Sequence, residues 1–382
     1  MHLQSSMMRA ARLHQLGQPF VIDEMPTPEP RPTDVLVKIK SCNVVPNLRN
    51  VVTHYAEWFP YLPLPKLPAI YGLDATGVIA KVGSHVRGIE AGERVYVNPG
   101  RSCGGCVACR RGETTLCESY TFQGYFGFGP GSAKVFQDYP YGGLADYMTA
   151  PVSSLVRLPA SISFEAGSRF GYLGTAYSAL RKANAGHGAS VIITGASGTL
   201  GVSTVLLALA MGVGKIFAVA RNAALLARVR ALDPRRVEVL SYGERPLVDW
   251  IMEKTHHIGA DILIESLSTG ASANVTMDAL HALRRGGIGV CIGGMSETLP
   301  LNPIWFMTRG LRWWGSVWFS TAEGEDMAAM AAAGALDLSK FEHRRFALAD
   351  ANRALNSFES ESGGFANVVV MPELEALAGA TI

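Results

Sequence analysis

Residues 190–201 read Ser-Val-Ile-Ile-Thr-Gly-Ala-Ser-Gly-Thr-Leu-Gly, and this stretch decides the fold. A continuous apolar strand leads into a turn of small residues, and an apolar helix follows through Met211. Ala196, Gly198 and Gly201 form an A-x-G-x-x-G pattern in the turn. Small residues there let the backbone approach a pyrophosphate and let the helix pack on the strand. The pattern predicts a dinucleotide-binding turn, and the alternative is a structural glycine turn that binds no ligand.

The residues at the end of the next strand indicate which dinucleotide binds. The next strand ends at Ala220, and Arg221 and Asn222 follow it. NAD-binding folds place Asp or Glu near this point to accept hydrogen bonds from the ribose, whereas a guanidinium pairs with a 2′-phosphate. The sequence therefore predicts NADP(H), and the alternative is that Arg221 is a solvated residue at the start of a helix. The predicted cofactor site comprises Gly195, Ala196, Ser197, Gly198, Thr199, Leu200, Gly201, Arg221, Asn222, Ser266, Gly293 and Gly294.

The pattern of predicted strands and helices changes along the chain. Residues 8–160 have short strands punctuated by Gly and Pro, which indicates a compact β-rich domain. Residues 161–304 alternate helices with continuous apolar strands, which predicts a doubly wound parallel sheet of the Rossmann type, covered on both faces. Residues 305–382 form a mixed tail that ends in the strand 367–371. The predicted fold class is α/β.

Four cysteines form a cluster in the β-rich part. Cys103, Cys106, Cys109 and Cys117 follow C-x2-C-x2-C-x7-C spacing. Four thiolates on a short loop satisfy tetrahedral zinc and leave no open coordination position. The spacing predicts a structural zinc in a lobe at 100–118, whose folding depends on the metal. The alternatives are disulfides and an iron–sulfur cluster.

Composition excludes several classes of partner. The net charge is +2 with 17% charged residues, and no Lys/Arg run points to nucleic acid. The longest apolar run, 202–211, is too short to span a bilayer, and the first 30 residues lack the apolar core of a signal peptide. Because clustered cysteines suit metal binding in a reducing compartment, we expect a cytoplasmic protein without a membrane partner.

The glycine turn, the cysteine lobe and the motifs at 92–96 and 157–159, in this order, resemble the medium-chain dehydrogenase/reductase superfamily. The resemblance covers about 8–372. It implies a GroES-like substrate domain, split in sequence, around a Rossmann domain. It also implies hydride transfer with a small-molecule substrate, and a homodimer or homotetramer.

The resemblance also identifies where zinc-dependent members hold their catalytic metal. Those positions are Val45, Leu73 and Gly171 here, and none has a metal-binding side chain. We therefore expect no catalytic zinc. Residues 44–46 and 72–77 resemble instead the zinc-independent quinone oxidoreductases and enoyl reductases, which normally lack the cysteine lobe. The chain combines features of the two branches.

Without a metal, hydrogen-bond donors must polarise the substrate oxygen. The candidates are Tyr172, His54, Asn47 and Thr175, although a tyrosine in apolar surroundings can belong to the core and His54 to a surface loop. We expect an NADP(H)-dependent oxidoreductase that reduces an activated C=C bond. The alternatives are a zinc-free carbonyl reductase or alcohol dehydrogenase, and a nicotinamide-binding protein without turnover.

Aromatic residues concentrate just after the cysteine lobe. Trp58, Trp305, Trp313, Trp314 and Trp318 add to them elsewhere in the chain. Together they predict either a pocket for a bulky or aromatic substrate or a core or interface patch. The concentrated residues are Tyr120, Phe122, Tyr125, Phe126, Phe128, Phe136, Tyr139 and Tyr141.

Overall fold

The computed structural model of the protein describes residues 6–359 and 363–375. In these ranges the strands are β1 (Met7–Leu13), β2 (Val21–Pro26), β3 (Asp34–Asn43), β4 (Ala69–Ile70), β5 (Asp74–Val82), β6 (Arg94–Val97), β7 (Gly100–Arg101), β8 (Thr121–Phe122), β9 (Tyr147–Pro151), β10 (Leu155–Arg157), β11 (Ser190–Thr194), β12 (Lys215–Ala220), β13 (Val237–Ser241), β14 (Ala260–Glu265), β15 (Leu283–Cys291), β16 (Arg312–Gly315), β17 (Glu342–Ala347) and β18 (Ala366–Met371).

In the same ranges the α-helices are α1 (Leu48–Thr53), α2 (Tyr55–Trp58), α3 (Val107–Arg110), α4 (Ser132–Asp138), α5 (Phe164–Gly167), α6 (Phe170–Lys182), α7 (Thr199–Ala210), α8 (Ala223–Arg230), α9 (Leu247–Lys254), α10 (Ala273–His281), α11 (Pro303–Arg309), α12 (Thr321–Ala332) and α13 (Ala351–Asn356). None of the helices in the described part of the chain is long and apolar enough to cross a lipid bilayer.

A parallel sheet with strand order β13-β12-β11-β14-β15-β16 forms the Rossmann part. Its central strand β11 is buried on both faces. Val191 and Ile193 pack in the cluster that contains Val202 of α7, whereas Ile192 packs in the cluster that contains Trp250 of α9. This two-sided burial explains why the strand is a continuous apolar run. The strand order reverses between β11 and β14, which is where a doubly wound sheet opens its ligand crevice.

The edge strand β16 corrects one predicted boundary. It pairs in parallel with β15, with Ile288 opposite Arg312 and Val290 opposite Trp314. The Rossmann sheet therefore continues past residue 304, and the boundary predicted there is too early. The strand has four residues, most of them exposed, so it lacks the apolar run that marks the buried strands. Residues 376–382 of the predicted C-terminal segment lie outside the described residues.

The β-rich part is built on a sheet of order β10-β6-β5-β3-β18-β17, with β9 also paired to β3. Strand β18 comes from the end of the chain and pairs antiparallel to β3, with Val369 opposite Asn43. The C-terminal residues therefore close the sheet that the N-terminal residues began. Helix α6 connects the two parts of the molecule, because it packs on α7 while Gly171 in its first turn touches Asp74 of β5.

Candidate active site

The glycine turn has the geometry of a phosphate loop. Gly195 has φ +70°, a left-handed conformation that glycine adopts without strain. A Cβ at Gly201 would lie 2.2 Å from the Gly195 carbonyl oxygen, so only glycine allows α7 to approach the turn this closely. Thr199 begins α7 directly after the turn. Free backbone N–H groups and the positive end of the helix dipole therefore face the turn, and this arrangement fits a pyrophosphate.

The other predicted cofactor residues lie at the carboxyl ends of neighbouring parallel strands. Arg221 and Asn222 follow β12, and both are exposed. The Asn222 side chain caps α8 by accepting from the Leu225 N–H at 3.0 Å. Ser266 follows β14, and its hydroxyl donates to the Thr194 carbonyl oxygen at 2.5 Å. Gly293 and Gly294 follow β15, so the structure brings the predicted set to one edge of the sheet.

The cysteine lobe has the donor set of a structural zinc site. The Sγ atoms of Cys103, Cys106, Cys109 and Cys117 all lie within 4.8 Å of one another. Zinc–sulfur bonds of about 2.3 Å in a tetrahedron separate sulfurs by about 3.8 Å, so the cluster is compatible with the metal. Within the described ranges, no second group of three or more His, Cys, Asp or Glu side chains is close enough to hold a metal ion.

A buried carboxyl group lies against Gly171, one of the three positions at which the resemblance places a catalytic metal. A Cβ at Gly171 would lie 2.2 Å from Asp74 Oδ1 and 2.5 Å from Oδ2. Val45 and Leu73, the other two positions that the resemblance identifies, are buried apolar residues. Asp74 Oδ1 accepts from the Tyr96 hydroxyl at 2.7 Å, and Oδ2 has no hydrogen-bond partner among the described residues.

Burial also changes the acidity of this carboxyl group. It raises the pKa of Asp74 from 3.8 to about 7, and the Tyr96 hydrogen bond and the Arg169 charge oppose the rise. A substantial fraction of Asp74 is therefore protonated at neutral pH, and a neutral carboxyl group can donate as well as accept.

Polar side chains from three segments surround this region, and we call Asn47, Tyr55, Tyr125 and Tyr172 the tyrosine cluster. Asn47 Nδ2 donates to the Tyr55 hydroxyl at 2.5 Å. Burial raises the pKa of the Tyr125 phenol, Tyr172 and Tyr55 raise it further, and Asn47 opposes the rise. The cluster therefore presents protonated phenols, which are hydrogen-bond donors at neutral pH.

Tyr172 is the member of the cluster that lies beside a buried cation. The Arg169 guanidinium is 5.0 Å from the centre of the Tyr172 ring. Burial raises the pKa of Tyr172, the Arg169 charge lowers it, and Asp74 raises it. Two of the four predicted catalytic residues, Asn47 and Tyr172, are thus placed together.

The other two predicted residues have different surroundings. His54 is exposed, and its ring stacks on Trp58 at 4.6 Å between centroids. The Thr175 hydroxyl donates to the Gly171 carbonyl oxygen at 2.9 Å, within α6 itself. His54 therefore lies on the surface, which agrees with the alternative that it is a surface residue. The Thr175 hydroxyl has a partner inside its own helix.

The fold and these sites agree with two protein families. The alcohol dehydrogenase GroES-like domain matches residues 31–160, and the zinc-binding dehydrogenase family matches residues 199–333. The chain is a zinc-type alcohol dehydrogenase-like member of the medium-chain dehydrogenase/reductase superfamily. It is therefore an oxidoreductase that uses a nicotinamide cofactor.

Individual relatives cover most of this medium-chain dehydrogenase/reductase. It is 31% identical to L-idonate 5-dehydrogenase of Vitis vinifera over 292 residues, which are 75% of this chain and 73% of that protein. It is 31% identical to an alcohol dehydrogenase of Geobacillus stearothermophilus over 313 residues, 81% of this chain and 85% of that protein. The crystal structure of AibC superposes with a TM-score of 0.82 at 26% identity, covering 97% of this chain and 98% of that one.

Sequence reasoning missed three residues of the site in this dehydrogenase. In the sequence, Asp74 falls within the segment 72–77 that carries the resemblance, Tyr125 is one aromatic residue among many, and Arg169 belongs to no motif. Arg169 did carry a signal, because it is a cation directly before the apolar run that becomes α6. Such a cation is rarely buried without a specific set of partners.

Proposed function

We propose that the protein is an NADP(H)-dependent oxidoreductase that transfers hydride without a catalytic zinc and reduces an activated C=C bond. The observation that carries this proposal is the contact between Gly171 and Asp74. The Asp74 carboxyl group fills the space that a side chain at position 171 would need. With Val45 and Leu73 at the other two positions, none of the three positions carries a side chain that can bind a metal.

The tyrosine cluster supplies the polarisation that a metal would otherwise provide. When bound, the nicotinamide supplies the hydride. Reduction of an enone or enal develops negative charge on the carbonyl oxygen, and preorganised donors stabilise that charge. We assign this role to Tyr172, with Asn47 and Tyr55 holding the neighbouring hydrogen bonds. The charge of such an enolate is delocalised, so phenol donors suit it better than they suit an alkoxide.

The choice of NADP(H) rests on residues at the end of β12. Ala220 stands where a carboxylate would accept from the ribose hydroxyls, and the exposed Arg221 follows it. Replacing Arg221 by Ala should weaken NADPH binding by about 10- to 100-fold, since hydrogen bonds between charged groups contribute about 1.5–3 kcal/mol. NADH binding should change little. Titration of both cofactors into Arg221→Ala and into Arg230→Ala, an exposed arginine on α8, tests this prediction; equal losses for NADPH and NADH would contradict it.

The aromatic residues support a bulky or aromatic substrate. Trp318 packs on Phe122 at 4.5 Å between centroids, and Phe126 lies 5.4 Å from Tyr55 of the tyrosine cluster. This aromatic wall therefore borders the proposed donors. Two of the other tryptophans lie elsewhere, because Trp305 contacts His281 of α10 and Trp314 is exposed on β16.

An edge surface supports a homo-oligomer. Strand β16 ends the Rossmann sheet, and Trp314 on it is 44% exposed. Ile304 and Met307 lie on α11, which directly precedes β16 in the sequence, and they are 70% and 71% exposed. The open outer edge of a sheet beside exposed apolar residues is typical of a surface that pairs with another chain. We propose that a second copy covers it.

Carbonyl reduction or alcohol oxidation is the second candidate function. It is favoured by the similarity to proteins named L-idonate 5-dehydrogenase and alcohol dehydrogenase. The same phenols would then donate directly to the carbonyl oxygen of the reacting group.

Product analysis with NADPH and an α,β-unsaturated aryl aldehyde distinguishes these functions, because the molecule offers both an olefin and a carbonyl. We expect the saturated aldehyde. An unsaturated alcohol would instead establish the second candidate. Tight NADPH binding with no product from a panel of such acceptors would favour a nicotinamide-binding protein without turnover.

A further inference from the structure

Arg169 is a fully buried cation, with 1% of its surface exposed, at the residue before α6. It forms no ion pair with a carboxylate among the described residues, although Asp74 lies close enough to raise its pKa. Burial lowers the pKa of the guanidinium to about 10, so Arg169 stays charged at neutral pH. A buried charge is costly unless hydrogen bonds compensate it, so the partners of Arg169 define what it holds together.

Three backbone carbonyl groups accept hydrogen bonds from Arg169, and they come from two distant segments. Nη2 donates to the Gly364 oxygen at 2.6 Å and contacts the Thr199 oxygen at 3.4 Å. Nη1 donates to the Ala366 oxygen at 3.1 Å. Thr199 begins the helix after the phosphate loop, and Gly364–Ala366 lead into β18. One guanidinium therefore joins the phosphate-loop helix to the C-terminal return, by which we mean residues 363–371.

Two aromatic rings hold the guanidinium plane in this position. Arg169 Cζ lies 5.0 Å from the Tyr172 ring centre and 4.7 Å from the Phe341 ring centre. Arginine stacks on aromatic faces through its planar, delocalised charge. The proposed donor Tyr172 is therefore in contact with the same side chain that contacts the phosphate-loop helix.

The C-terminal return also touches the phosphate loop directly. The Gly364 N–H donates to the Ser197 oxygen at 2.8 Å. A Cβ at Gly364 would lie 2.1 Å from the Gly198 oxygen. A displacement of the loop therefore changes the segment that Arg169 holds, and the absence of a side chain at 364 is required for this fit.

We propose that Arg169 is a positioning residue: it links the phosphate loop and the C-terminal return to Tyr172, so that dinucleotide binding and the alignment of Tyr172 are coupled. The part that concerns Tyr172 rests on the proposed function. A dinucleotide that orders residues 195–201 orders the return through Gly364, and Arg169 transmits this order to the first turn of α6. A coupling of this kind corresponds to about a tenfold effect.

Hydrogen exchange with and without NADPH tests the coupling in the full-length protein. In the wild type we expect NADPH to protect amides of 195–204, 363–371 and 170–176. In Arg169→Met the protection should be confined to 195–204, and the dissociation constant for NADPH should rise about tenfold. The matched control is Arg181→Met, which removes an exposed arginine on the same helix that lies 5.7 Å from the Tyr177 ring. The same protection in Arg169→Met as in the wild type would overturn the proposal.

A second perturbation guards against a variant that fails to fold. Gly364→Ala disturbs the same contact from the other side and leaves Arg169 in place. Gly186→Ala is its control, because no atom of the described residues lies within 4 Å of a Cβ there. We expect Gly364→Ala to reduce protection of 170–176 and Gly186→Ala to leave it intact; equal protection in the two variants would contradict the coupling.

Kinetics separate positioning from a purely structural role. Arg169→Lys keeps the charge but loses the planar fork, so we expect kcat to fall while the KM for the acceptor changes little. The pH dependence of kcat should also shift, because the Arg169 charge acts on Tyr172 and Asp74. A fall in thermal stability with unchanged kcat and pH profile would contradict positioning. The exchange experiment needs only a bound dinucleotide, so its outcome does not depend on whether the protein reduces C=C bonds.

Discussion

Two regions of the molecule lie where the family resemblance places metal sites, and they differ in the ligand atoms that they offer. The cysteine lobe keeps four Sγ atoms within 4.8 Å of one another. The region around Gly171 has no ligand atoms at the three equivalent positions and holds the Asp74 carboxyl group instead. The lobe has little apolar content of its own, so we expect a metal bound there to contribute to folding. The second region is packed by protein atoms and does not depend on a metal to fold. Under the proposed function, this scaffold keeps one metal site and has lost the other.

The largest expected effect is loss of the lobe. Replacing Cys106 by Ser removes one of four ligands, and structural zinc contributes about 10–16 kcal/mol in small zinc domains. We expect loss of the bound zinc and a protein that is unfolded or strongly destabilised, measured by metal analysis and thermal unfolding. Cys42→Ala is the control, because Cys42 is buried outside the lobe and its loss should leave the metal content unchanged. A stable Cys106→Ser protein without zinc would contradict the expectation that the lobe needs a metal to fold.

Removing the proposed donor should reduce catalysis without affecting either fold or zinc. Tyr172→Phe keeps the ring that contacts Arg169 and deletes the hydroxyl. Loss of one oxyanion donor typically lowers kcat by about 10²–10³-fold, and we expect a decrease in that range with the KM for the acceptor nearly unchanged. Tyr177→Phe, on the same helix, is the control. Full activity of Tyr172→Phe would transfer the role to another member of the tyrosine cluster.

A cysteine introduced at position 171 should destabilise the protein, and the variant should bind no second metal. A Cβ at Gly171 overlaps the Asp74 carboxyl group, and overpacking of this kind costs about 1–3 kcal/mol. The test variant is Gly171→Cys, and Gly171→Ala is its control because its Cβ meets the same overlap. Both variants should lose similar stability in urea unfolding and keep the wild-type zinc content. A second zinc in Gly171→Cys alone would show that the region can still accept a metal.

The buried carboxyl group should give a pH-dependent effect. Burial raises the pKa of Asp74 from 3.8 to about 7, so between about pH 4 and pH 7 the folded state binds more protons at this group than the unfolded state. The contribution of Asp74 to stability therefore falls as the pH rises through that window. The stability of Asp74→Asn relative to the wild type should therefore rise by about 2–3 kcal/mol between pH 5 and pH 8. Asp337→Asn, at an exposed carboxylate whose pKa is lowered by its hydrogen bonds to Ser339, should show no such gain.

The contrast between the two regions also explains what the sequence could predict. The phosphate loop and the cysteine lobe depend on spacings within 15 residues, so their patterns could be read directly. Once the resemblance is recognised, Val45, Leu73 and Gly171 predict that the chain has no catalytic zinc. The contact between Gly171 and Asp74 could not be predicted, because these residues meet only through packing of α6 against β5. The same holds for Arg169, whose partners at 199 and 364–366 are distant in sequence.

Measuring zinc content and turnover together on one preparation tests most directly whether hydride transfer proceeds without a catalytic metal. The protein should contain a single zinc per chain, held by the lobe, and a chelator too mild to remove that ion should leave NADPH-dependent turnover unchanged. A second, loosely bound metal whose removal abolishes turnover and whose return restores it would contradict this account.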